Sequence, residues 1–296
     1  MSVQFRSYTD QAGITEDYYK VRAFLVKLGY AEFTYARWDW VTTHSYLDKT
    51  SVGRIGIWEE NQEVVGLATY DCLLGTAYCL ALPQYASIKR QILVYAMDQL
   101  SNNGEFGVVI ADPDAEFQEI AAQLGFSATG EKEHDAAFYI DRTTTEYSLP
   151  EGFSITSMEE TFDLSQYRRV LWKGFNHELN GEGEFSFTKE REESAKEEML
   201  RPNVNLSLKI AAVAPNGNFA AYCGMWYDPE AGFAVIEPVA TDPDYRKLGL
   251  GRAVVLEGIR RVGALGAKIA FVGSSQQFYY RIGMRPYASS TVWKKL

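Results

Sequence analysis

Apolar residues in this chain fall into short runs separated by turn chemistry. In the second half, "LSLKIAAVA" (206–214) reads as a strand, "PNGN" (215–218) as a turn and "FAAYCGMWY" (219–227) as a second strand. "DPEAG" (228–232) is another turn and "FAVIEPVAT" (233–241) a third strand, which predicts an antiparallel meander. An amphipathic helix follows, with Val255, Ile259 and Val262 on one face at helical spacing. "KIAFVG" (268–273) then predicts a short apolar strand, and "SSQQFYYRIG" (274–283) a short helix ending at a glycine.

The same order occurs upstream. "RIGIWEENQEVVGLATYD" reads as a hairpin around Asn61, "AYCLAL" as the next strand and "IKRQILVYAMDQL" as the helix. "FGVVIA" is the following strand and "AEFQEIAAQLGF" the last helix, with Gly66 matching Gly224 and Gly125 matching Gly283 at one offset. A repeat of this length means two copies of one domain. The polar segment "RTTTEYSLPEGF" (142–153) predicts the junction, giving domains 1–145 and 146–296. The copies differ where the long helix starts. With Pro83 and Tyr85 set on Pro243 and Tyr245, Lys89 stands where Gly249 is and Gln91 where Gly251 is. The first copy keeps the scaffold without the glycines, so the glycines serve something other than the fold.

A helix N-terminus exposes unpaired N–H groups and about half a positive charge, and it binds phosphate where the backbone can be approached closely. Gly249 and Gly251 permit unusual dihedrals and carry no Cβ to obstruct that approach. Arg246 and Arg252 flank them and can add charge-assisted bonds. The pattern reads as a pyrophosphate cradle; two glycines easing a tight turn are the alternative. A Rossmann fingerprint needs a third glycine after a parallel strand, and a Walker loop needs a terminal G-K-[ST]; neither is present.

Composition narrows the partners. The net charge of −10 weakens any case for nucleic acid and is compatible with a cationic substrate such as an amine. Cys72, Cys79 and Cys223 show neither metal-site spacing nor an even disulfide count. The start lacks a signal-peptide pattern and no apolar run is long enough to cross a membrane, so a cytoplasmic protein without metal is expected. Cys223 reads as a small buried strand residue, and His44 and His134 as surface residues.

Residues 206–286 resemble the GNAT superfamily of N-acetyltransferases. The signature [RQ]-x-x-G-x-[GA] stands as Arg246-Lys247-Leu248-Gly249-Leu250-Gly251, preceded by a strand ending in "VATDPDYR" and followed by "FYYRIGM". The whole second half fits, and the first fits as a degenerate copy. The resemblance implies an α/β chain of the α+β type, built as two tandem GNAT-like domains. Each is a mixed, mostly antiparallel twisted sheet flanked by helices. It implies acetyl-CoA as cofactor, its pyrophosphate on the backbone from Arg246 through Lys247, Leu248, Gly249, Leu250 and Gly251 to Arg252. Its pantetheine arm would run along Val239, Ala240 and Thr241.

By the same resemblance Tyr279, four residues before Gly283, is the acid that protonates the leaving thiolate; Ala121 holds that place in the first copy. Tyr280 points elsewhere on the helix. Glu237 is the expected base, and the following Pro238 lacks an N–H and locally disturbs the ladder. The acceptor pocket is expected from "VLWKGFNHELNGEGEF" (170–185), with Trp172, Phe175, His177 and Glu178 as candidates; Trp172 and Phe175, at i and i+3, also read as core. Many relatives carry an asparagine after the fifth strand. Here Ser274 and Ser275 stand there, and a serine is expected to cap the last helix and touch the cofactor. Met284 in place of the usual phenylalanine reads as packing only. The expected function is acetyl-CoA-dependent N-acetylation of a primary amine, on a small molecule or a peptide N-terminus, by direct attack in a monomer or homodimer. The alternatives are a non-catalytic acyl-CoA-binding or interaction protein on the same scaffold, or transfer of a different acyl group.

Overall fold

The structure, a computed structural model, describes residues 2–140 and 145–295, with only the backbone described at Thr43. Two compact units emerge: 1–135 together with 287–296, and 136–286. Of the polar stretch expected at the junction, Arg142 to Thr144 lie outside the described residues, and the remainder lies inside the second unit.

The first unit contains β1 (Gln4–Ser7), α1 (Glu16–Leu28), α2 (Tyr35–Thr43), β2 (Gly56–Glu60), β3 (Glu63–Tyr70), β4 (Thr76–Ala81), α3 (Lys89–Gln99), β5 (Gly107–Ala111), α4 (Ala115–Gln123) and most of β6 (Phe126–Tyr139). Asn61 and Gln62 make the β2–β3 turn with φ of 54° and 68°, the left-handed pair that a two-residue hairpin requires. The second unit contains β7 (Ser154–Ser157), α5 (Leu164–Gly174), α6 (Lys189–Met199), β8 (Lys209–Val213), β9 (Phe219–Tyr227), β10 (Phe233–Thr241), α7 (Leu250–Ala264), β11 (Ile269–Val272) and α8 (Gln277–Arg281). The final strand is β12 (Arg285–Lys295). The expected strand from Leu206 begins later: residues 206–208 form a 3-10 turn held by the Asn205 side chain, which accepts from Ser207 N–H.

Both sheets are mixed. In the first unit β4 and β5 run parallel, and in the second β10 and β11 do; β2–β3, β3–β4, β8–β9 and β9–β10 are antiparallel. The strand order is β1-β2-β3-β4-β5-β12-β6 in the first unit and β6-β11-β10-β9-β8-β7 in the second. The last strand of the sequence therefore pairs with β5, Ser290 opposite Ala111. The end of β6 pairs with β11, Ala136 opposite Val272. The second sheet is covered on both faces, which explains its unbroken apolar runs. Ile210, Cys223, Met225 and Ile236 face α7, where Val255, Ile259 and Val262 are fully buried as the helical spacing predicts. Tyr222 and Ala211 face α5 and α6, against Tyr167, Val170 and Met199.

Candidate functional site

The parallel pair β10–β11 opens into the site. These strands pair only from Phe233–Ile269 to Val235–Phe271. β10 continues to Thr241, beyond the end of that pairing. The separation starts at an irregularity between Ile236 and Val239, around Glu237 and Pro238. There the backbone leans toward β9. A Cβ on Gly224 would stand 2.5 Å from the Glu237 carbonyl oxygen. Trp226 Nε1 donates to that same oxygen at 2.9 Å. The sequence repeat marks Gly224 without giving its reason, which is this close approach. Val239, Ala240 and Thr241 then resume pairing with Cys223, Tyr222 and Ala221. Alternate peptide groups of an antiparallel strand face away from its partner, so some of their N–H and C=O groups point into the opening.

The corner after β10 is built around Asp242, fully buried. It takes Arg169 Nη2 at 2.8 Å and caps the N–H of Asp244. Beyond it, Lys247 has φ 66° and Gly249 φ 81°, and Gly249 caps α7 with no side-chain hydrogen bond. From Lys247 to Arg252, six consecutive backbone N–H groups donate to no group of the described residues. A Cβ on Gly249 would meet nothing within 4 Å. A Cβ on Gly251 would stand 2.9 Å from Thr241 Oγ1, so that glycine fits the helix against β10. Lys247, Leu248 and Arg252 are exposed and Leu250 is buried. The donor set suits a polyanion such as a pyrophosphate. Arg246 is turned from that role: its guanidinium donates to Thr241 O, Gly174 O and Asn176 Oδ1, the last at 2.6 Å. The first unit differs as its sequence does. There a 3-10 turn (Pro83–Ile88) runs directly into α3, and Lys89 N–H is bonded to Ala86 O.

Tyr279 is 8% exposed and packs in the same core as Cys223. Burial first, then Cys223 and Glu237 through space, push its phenol well above the ordinary tyrosine range. Tyr279 and Glu237 thus act on one another. Burial pushes the Cys223 thiol up to about 12, so it carries no thiolate at neutral pH. Tyr280 is partly buried beside the same core. Ser274 does not cap α8: its Oγ accepts from Gln276 N–H at 3.2 Å, and the helix starts with no side-chain cap. Ser275 is exposed.

The acceptor candidates lie at the end of α5 and in the loop after it. The Trp172 ring stacks on His177 at 4.3 Å, and the Arg191 guanidinium lies 4.4 Å from its centroid. Trp172 Nε1 donates to Gly183 O, and His177 Nδ1 lies 2.8 Å from Glu182 Oε2. Glu178 accepts from Phe185 N–H at 3.0 Å. These three residues hold the loop together. Phe175 is not with them: it caps α5 and is 47% exposed, so it and Trp172 are not a core pair. Two contributors escape the sequence reading. Arg191 lies on another helix. Gly174 has no room for a Cβ, which would stand 2.7 Å from Ala240 Cβ and 2.9 Å from Thr241 N. His44, expected at the surface, is buried and stacks on Trp40 at 4.3 Å, because it caps α2 and folds back on its last turn.

Residues 172–284 match the acetyltransferase (GNAT) family model. Among curated proteins none matches this sequence. A tandem GNAT protein from the clavulanic acid biosynthesis pathway superposes with TM-score 0.62 at 12% identity, over 99% of this chain and 98% of that one. A GCN5-related N-acetyltransferase from Sphaerobacter thermophilus gives 0.57 at 15%, over 99% and 95%. A GNAT-family acetyltransferase from Colwellia psychrerythraea gives 0.58 at 9%, over 100% of both chains. Among the described residues no helix is long and apolar enough to cross a membrane. The chain thus has the fold of two tandem GNAT-like domains, and the family match lies in the second.

Proposed function

We propose that this chain is an acetyl-CoA-dependent N-acetyltransferase acting on a primary amine. In this reading residues 146–296 form the transferase domain, and 1–145 a degenerate copy without the cradle. The observation that carries it is the row of six unbonded N–H groups from Lys247 to Arg252, set beside the opening between β10 and β11. Orphan donors in that number are costly unless solvent or a ligand takes them. A side chain at Gly249 would touch no part of the protein, so what it would obstruct is a ligand.

Acetyl-CoA supplies the acyl group as a thioester. Inward-facing N–H groups of Val239 to Thr241 bind the pantetheine arm and can polarise the reacting carbonyl. Glu237, at the point where β10 leaves its neighbour, takes a proton from the acceptor ammonium and so frees the nucleophile. Tyr279 holds its proton through neutral pH, because burial and the Glu237 charge disfavour the phenolate. A more weakly acidic phenol gives up its proton less readily. In the same desolvated place a leaving thiolate is also destabilised, which raises its demand for that proton. Trp172, Phe175, His177 and Glu178 line the acceptor side through their loop, and Ser274 and Ser275 the cofactor side. The acceptor is a small amine or a peptide N-terminus, compatible with the acidic chain. A cytoplasmic location fits the odd number of cysteines, which argues against a disulfide framework.

The test is calorimetric titration of the protein with acetyl-CoA, beside Gly249→Asn. Asparagine tolerates the left-handed backbone, so the variant keeps its fold and loses binding. Equal affinity of both proteins would sink the cradle. An amine screen for free CoA release then separates the enzyme from a mere acyl-CoA binder, which releases none with any amine. Running the screen with longer acyl-CoAs identifies a different acyl donor.

A further inference from the structure

The first unit keeps an opening of its own. β4 and β5 pair only from Thr76–Gly107 to Tyr78–Val109, while β4 runs to Ala81 and β5 to Ala111. Between the diverging ends lies a cavity of about 140 Å³. Its apolar wall includes Leu28, Leu80 and Phe117, and its charged side chains are Glu32, Lys89 and Asp114. Lys89 stands where the second unit has Gly249. It is ion-paired to Asp114, the cap of α4, and lies 5.4 Å from the Phe117 ring centroid. That pair cancels itself. Glu32 is what remains, so the lining carries one uncompensated negative charge. The cation acting on Glu32, Lys89, is committed to Asp114. Burial raises the Glu32 carboxyl above the ordinary range, as befits a charge held away from water without a close counter-ion.

We propose that this cavity binds a small aliphatic ammonium ion, its charge on Glu32 and its chain against Leu28, Leu80 and Phe117. Size sets the chain length: a cavity of about 150 Å³ holds benzene, so the ligand has roughly five to seven heavy atoms. Charge sets the sign, since an anion would meet Glu32 with no free cation opposite. The site lies wholly within the first unit and stands independently of the acetyl-transfer reading.

The experiment titrates the full chain with n-butylammonium chloride, butan-1-ol and sodium butyrate, followed by calorimetry and by NMR of the protein amides. Saturable one-site binding of butylammonium is expected, with Ala111 among the shifted amides. Butan-1-ol should bind about tenfold more weakly or worse, as expected for loss of a charge-assisted bond, and butyrate should not bind. Glu32→Gln should weaken butylammonium by a similar factor with an unchanged circular dichroism spectrum. Glu32→Asp should retain part of the affinity, and it serves if the glutamine variant does not fold. Absence of saturable butylammonium binding, equal affinity for the alcohol or butyrate, or undiminished binding by Glu32→Gln would each overturn the proposal.

Discussion

Tyr279 and Cys223 share one core and receive opposite assignments for the same reason. Burial keeps both protonated, which disqualifies a thiol as nucleophile but qualifies a phenol as proton donor. Tyr279→Phe should lower kcat by about a hundredfold or more, with the KM for acetyl-CoA unchanged. Cys223→Ala should leave kcat intact. Steady-state kinetics on both variants checks the pair. The raised phenol also fixes a pH response: kcat should stay level through the range where an ordinary tyrosine ionises, and a fall there would mean a normal phenol. Gly249→Ala should cost about 1–2 kcal/mol of stability, from the left-handed backbone alone, since its Cβ meets no neighbour. The resemblance named Tyr279 through its spacing from Gly283, and Glu237 as the expected base. That the two act on one another comes from the fold, which sets a short helix beside an irregular strand.

At the scale of elements, α7 is fixed at its start and at its middle by different chemistry. Its start depends on close contact with β10 at Gly251. Its third turn carries Glu257, buried, which accepts from Arg260, Arg261 and Tyr147. Desolvation alone would raise Glu257, but the two arginines overcome it and hold its carboxyl at about 2. A carboxyl held lower in the folded chain gives stability that is complete above its ordinary value of 4.5 and is lost as pH falls toward about 2. Acid unfolding of Glu257→Gln, followed by circular dichroism, should therefore show a flatter slope than wild type through that window. The end of α5 is held as closely. Gly174→Ala must push Ala240 and Thr241 aside, and a loss of about 1–3 kcal/mol is expected in denaturant unfolding. Periodicity revealed α7 and the meander because their apolar positions are regular. It did not reveal α6, whose exposed sequence "KEREESAKEEM" has little apolar face, nor the loop clasp of Trp172, His177 and Arg191, which joins two helices.

At the scale of the whole molecule, the last strand belongs to the sheet of the first unit. Thr129 Oγ1 donates to Val292 O at 2.8 Å, and Thr291 and Ser289 hydroxyls bond Asp112. Deleting 287–296 removes the partner of β5 along Gly107 to Ala111 and leaves an unpaired edge. Limited proteolysis of the truncated chain should then cut in the first unit, although the family match at 172–284 is untouched. Cleavage confined to the second unit would contradict this dependence.

The sequence by itself determined the two copies, the meander, the short strand after the long helix and the position of the glycine loop. Those features rest on local periodicity, turn residues and the loss of two glycines at matched positions. Tertiary structure alone decided which sheet receives β12, since hydrogen bonding between strands so far apart in the sequence leaves no local trace. It also decided that Arg246 braces the end of α5 while six backbone N–H groups stay open. A side chain's partner depends on what packs beside it, and the sequence names only its chemistry.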